Sequence, residues 1–173
     1  MGMKTNLRAA AIAMAIPFAM LSLTACGNDS VTSADSKSSV KDAIAAVTLA
    51  ESEVGGKAFE LDEEGKSGWD IDVVVNDQVT EVRVNAKGTE ITKKRQDGRI
   101  DLDDARRVAA ATVPMSDAIT TAAKEVVGLV THAELSRHRA TTLVWSVEFN
   151  DGGQDTEVSV DATTGKVVNV DRD

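Results

Sequence analysis

The chain has one cysteine, no tyrosine, three Phe, two Trp and two prolines in 173 residues. A lone thiol cannot close an intrachain disulfide, so a chain of this size must hold together by packing. So few aromatic rings leave almost nothing for a stacking platform. Basic residues are also in deficit, 19 against 28 acidic, for a net charge of −9. A surface that acidic repels nucleic acid and anionic headgroups, so neither is expected as a partner. The uncharged run from Ala9 to Leu23 falls short of the roughly 20 apolar residues a membrane span needs.

That run is instead the size of a signal-peptide core. Lys4 and Arg8 form a positive region before it, and Leu23-Thr24-Ala25-Cys26 closes it. An apolar residue and two small ones before the cysteine are what a lipoprotein signal peptidase needs to accept the extended backbone. The Cys26 thiol is the atom that receives a diacylglyceryl group. An uncleaved anchor, or an ordinary secretory signal with an incidental cysteine, is the alternative. The polar residues that follow at once favour the lipobox. Two or three acyl chains on one residue anchor stably, whereas one is marginal. The expected location is therefore the extracytoplasmic face of the cell membrane, lipid-anchored through Cys26. Loss of residues 1–25 removes two basic residues and no acidic ones, leaving 17 against 28, a net −11. Residues 26–38 are the lipidated cysteine and a small, polar segment that reads as a flexible tether.

The rest of the chain repeats a pattern. Val40, Ile44, Val47 and Val54 mark a helix stripe. Trp69–Val75 and Val79–Asn85 alternate apolar with polar residues, as half-buried strands do, around an Asn76-Asp77 turn. Further on, Met115, Ile119, Ala122, Ala123, Val126 and Val127 mark a second helix face. Leu143, Trp145, Val147 and Phe149 alternate along a strand, Asn150–Gly153 turns the chain, and Glu157–Asp161 returns. Trp69 and Trp145 are 76 positions apart, and Glu81-Val-x-Val matches Glu157-Val-x-Val at the same offset. A shared register across a helix and two strands points to duplication. Between the copies, residues 98–111 read as a linker helix. Asp101 would cap it, Asp103 and Asp104 would sit in its first turn, and Pro114 bounds it.

These features resemble the PepSY domain of bacterial envelope and secreted proteins. The likeness is carried by Trp145-Ser-Val-Glu-Phe149, the Gly152-Gly153 turn and Glu157-Val-Ser-Val-Asp-Ala-Thr-Thr-Gly-Lys-Val-Val168, with Ser116-Asp117-Ala118-Ile119 at the helix start. The first copy departs from it, with Asn85-Ala-Lys-Gly88 in place of the Asp-Ala-x-Thr-Gly turn. The resemblance implies an α+β fold of two tandem small modules, each a helix packed on a small antiparallel β-sheet, at 39–97 and 112–173. It also implies a role near envelope peptidases, since similar modules occur in the propeptides of thermolysin-like metallopeptidases.

No residue set demands catalysis. His132 and His138 cannot make a closed zinc site alone, and read as exposed surface histidines near a loop. Ser136 lies near His138 but lacks the setting of a nucleophile. Asp101, Asp103 and Asp104 lack the loop glycine and distant Glu of a calcium hand. Glu60, Asp62, Glu63 and Glu64 read as a solvated loop, and Gly65-Lys66-Ser67 lacks the upstream glycine of a phosphate loop. Trp69 and Trp145 read as core anchors, and the turn residues Asp161, Thr163 and Gly165 as folding signals. The expectation is a non-enzymatic lipoprotein without catalytic, cofactor or metal residues, whose assignable site is Cys26 with the cleavage residues Leu23, Thr24 and Ala25. Its expected partner is an envelope peptidase or another protein. A small-ligand or metal-ion accessory of a neighbouring membrane system, or an architectural spacer, stays open.

Overall fold

The structure is a computed structural model that describes residues 30–173. The expected signal, with Leu23, Thr24, Ala25 and Cys26, lies outside the described residues. The first helix, α1, spans Ser33–Val54. Thr32 caps it by accepting from the Asp35 amide, and Asp35 lies at the positive end of the dipole. This corrects the expected tether, because residues 33–38 are helix. The cause is long-range: Ser36 is buried, and its hydroxyl accepts from the Gly128 amide at 3.2 Å. Ser39 takes the Val130 amide at 3.0 Å in the same way. Small polar residues that cannot build a core can still satisfy backbone donors.

Eight strands follow: β1 (Lys57–Glu63), β2 (Trp69–Val75), β3 (Gln78–Val84), β4 (Ile91–Arg99), β5 (Leu129–His138), β6 (Thr142–Asp151), β7 (Gln154–Asp161) and β8 (Val167–Arg172). They form one antiparallel sheet in the order β4-β3-β2-β1-β5-β6-β7-β8. The expectation of two separate small sheets is corrected here. Two four-stranded meanders are fused edge to edge by pairing of Glu60, Leu61 and Asp62 with Glu134, Ala133 and His132. Helices α2 (Leu102–Ala110) and α3 (Met115–Ala122) lie between β4 and β5 in the chain. Val126 and Val127, expected on the α3 face, lie beyond its end, and Val127 is exposed.

Side-chain alternation decides the two faces of the sheet. Leu61, Ile71, Val73, Val82, Ala133, Val147 and Val158 are completely buried in one continuous core, together with Ala43, Ala46, Val47 and Ala50 of α1 and Ala118, Ile119 and Ala122 of α3. Both helices therefore cover the same face. Trp69 and Trp145 anchor that core, and each indole N–H finds a carbonyl, of Ala86 and Val113 respectively. The turns carry their expected chemistry. Asn76 and Asp77 both take left-handed backbone, at φ 47° and 64°, which suits a two-residue hairpin. Gly88 at φ 69° lets the β3–β4 turn press on α1, where a Cβ would strike the Asp42 carbonyl and the Ala46 amide. No helix among the described residues is long and apolar enough to cross a membrane.

Candidate functional site

The side chains on the other face of the sheet are mostly ionisable, and α2 lies against part of it, with Ala105, Val108 and Ala109 beside Lys57 and Val74. The strand registers place them in two rows. One row runs Asn169, Ser159, Ser146, Glu134, Glu60, Asp72, Glu81 and Arg95, from β8 to β4. The neighbouring row runs Asp171, Glu157, Glu148, His132, Asp62, Asp70, Arg83 and Lys93. Four adjacent strands thus carry four carboxylates in line, Glu134, Glu60, Asp72 and Glu81. Like charges directly opposite one another disfavour the sheet.

The ionisation of this face follows from that crowding. Burial, then the charges of Glu60, Asp97, Glu81 and Asp62, push the Asp72 carboxyl up to about 6. Burial and Asp62 also raise Glu60, with Glu134 and Asp104 adding to it and His132 opposing. At the seam, His132 Nδ1 lies 2.7 Å from Asp62 Oδ1. Burial works against a charged His132, but the bond to Asp62 and the carboxylates of Asp62, Glu134 and Glu148 win, and its pKa is raised. The rows end in cations on β3 and β4: Arg83 of β3 is held by both oxygens of Asp70, and Arg95 of β4 bonds Glu81 and Asp97 at 2.6 Å each.

Several expected site residues therefore stand differently. His132 is not an exposed surface histidine; it lies within β5, with a side chain 22% exposed and bonded to Asp62. Glu60, Asp62 and Glu63 are not a solvated loop but strand β1, and Gly65–Ser67 is a short 3-10 turn after it. His138 ends β5, and among the described residues no hydrogen bond joins it to Ser136. Asp101 caps α2 by accepting from the Asp103 and Asp104 amides at 2.8 Å each. Asp103 pairs with Arg106, and Asp104 with Arg107. Among the described residues no three His, Cys, Asp or Glu are arranged to hold a metal ion. Asp72 and Glu148 lie on the outward face that the alternation of their strands assigns them, whereas Glu134 escaped the sequence reading, its one local signal being the Glu134-Leu-Ser stretch after His132.

The second half closes on itself. Thr112 and Val113 donate to the Ala162 carbonyl, and the Thr112 hydroxyl to that of Thr163. Trp145 bonds the Val113 carbonyl at 2.9 Å. Asp161 collects the Thr163 hydroxyl and the Thr163 and Thr164 amides, which hold its carboxyl down to about 2. A family model described as "Peptidase propeptide and YPEB domain" matches this segment, residues 112–171. This segment is a PepSY domain. The PepSY domain thus comprises α3 and the meander β5–β8, with α1 lying across its edge. Among solved structures, a candidate lipoprotein of Clostridium difficile 630 aligns with a TM-score of 0.47 and 15% identity, over 74% of this chain and 90% of that one. No curated protein matches the chain in sequence.

Proposed function

We propose that this chain is a lipid-anchored, non-catalytic extracytoplasmic protein that binds and restrains an envelope peptidase. The observation that carries the reading is the match of residues 112–171 to a family described as "Peptidase propeptide and YPEB domain". A propeptide acts by occupying its peptidase, which requires a shaped surface and no reacting group. The lipobox Leu23-Thr24-Ala25-Cys26 supports anchoring. With α1 beginning at Ser33, residues 26–32 would separate the lipid from the fold, and seven residues reach at most about 25 Å. The partner would accordingly be met close to the bilayer.

We also read residues 39–97 as a diverged second copy. Trp69 pairs with Val84 and Ile71 with Val82, while Trp145 pairs with Val160 and Val147 with Val158, each at the offset of 76. The strand order reads the same outward from the β1–β5 seam in both directions, which supports that reading. The test is a titration of the full chain, in detergent, into a secreted metallopeptidase of the thermolysin type. Activity should fall linearly and reach its floor near one equivalent. Unchanged activity at excess would refute restraint.

A further inference from the structure

We propose that the outer edge of β4 is a docking strand for an extended acidic segment of the partner protein, which joins the sheet as an added strand. This rests on the partner-binding reading above and names the surface and the partner's chemistry. β4 is nine residues long and pairs with β3 on one side, while no strand lies on its other side among the described residues. Residues 92–99 are all exposed, and β4 packs on the core through Ile91 alone. Its backbone groups on the free side are a template for another strand. Natural edges are blunted by shortness, proline, bulges or charge; β4 is long and free of proline, its register shifts lie near its ends, opposite Val79/Thr80 and Arg83/Val84, and its charge leaves the middle of the edge open to a strand of opposite sign.

Charge selects the occupant. β4 carries Lys93, Lys94, Arg95 and Arg99 against a single acid, Asp97, in a chain of net charge −9. Lys94 is held by Glu53 and Arg95 by Glu81 and Asp97, but Lys93 and Arg99 have no ion pair among the described residues. Cations on the edge oppose pairing of β4 with another copy of itself and favour a strand bearing carboxylates. Elsewhere the acidic surface repels such a segment, which confines it to this edge.

The experiment follows backbone amide exchange of the full chain in detergent, with a capped peptide of alternating Glu and Val as probe. The Glu peptide should slow exchange in residues 91–99, and more so at low salt. An N-methylated peptide, which cannot complete the strand pairing, should not. Lys93→Glu with Arg99→Glu should bind the probe about tenfold less tightly, with an unchanged far-ultraviolet spectrum. No slowing in 91–99, slowing elsewhere, or equal effect of the N-methylated peptide overturns the proposal. Slowing that rises with protein concentration and needs no peptide also overturns it, because the occupant is then a second copy. If the charge-reversed protein still restrains a peptidase fully, the edge proposal fails while the functional reading stands. Protection of β4 by the peptide with no peptidase restrained gives the converse.

Discussion

Replacing Asp72 with asparagine should stabilise this protein at neutral pH. Asp72 stands between Glu60 and Glu81 on the adjoining strands, half-buried, and its carboxyl titrates near 6. Its neutral form is thus preferred in the fold. The stability it contributes is fully present below the unfolded aspartate value near 4 and is lost as pH rises through 6. A displacement of about two on the pH scale corresponds to at most about 3 kcal/mol. Solvent screening of a half-exposed group lowers that to about 1–2 kcal/mol. Asp72→Asn keeps the shape and removes the charge, so it should gain that amount at pH 7.5 and almost nothing at pH 4. Urea unfolding at a series of pH values and one low ionic strength measures this. Glu60 and His132 are raised as well, and both carry the same sign. Stability of the parent protein should therefore increase from pH 8 to pH 5. A variant no more stable than the parent at pH 7.5, or a gain that is constant with pH, would refute the argument from crowded carboxylates.

Three further outcomes are expected. Gly88→Ala forces a left-handed φ on alanine and drives its Cβ into α1, at a cost of about 2–4 kcal/mol, readable as a lowered thermal midpoint. Asp161 works in the opposite pH direction to Asp72. Its carboxyl is depressed to about 2, so its contribution is present above the unfolded value and fades as pH falls toward 2; Asp161→Asn should therefore narrow the stability difference from the parent as pH drops below 4. Cys26→Ser should abolish uptake of labelled fatty acid and release the protein from the membrane fraction, whereas a labelled, membrane-bound variant would exclude the lipobox reading.

Much of the second half was readable because its strands obey a strict alternation. Trp145, Val147 and Phe149 all bury on the face that the pattern assigns, and the Trp69–Val75 strand has the bounds its alternation implied. The Asp101 cap was equally legible, since a cap is local chemistry. β1 and β5 were not. A register shift after Ala58 and another after Val130 break their alternation, and charged residues fill the outward positions. β4 has one apolar residue on the core, Ile91, and is otherwise held by backbone pairing and by ion pairs to Glu53 and Glu81, none of which leaves an alternating pattern. The seam that fuses the halves depends on partners about 70 positions apart, such as Asp62 and His132. Nothing near either residue announces the other. The same holds for Ser36, whose polar character suggested a tether until the Gly128 amide supplied its donor.

The central proposal is that this chain binds a peptidase and restrains it without chemistry of its own. Light scattering of the full chain mixed with a secreted metallopeptidase of the thermolysin type, read beside peptidase turnover, tests it most directly. The account predicts a complex of one chain per peptidase, loss of turnover in proportion to complex formed, and an intact chain afterwards. Separate masses with undiminished turnover, or a chain consumed as an ordinary substrate, would contradict it.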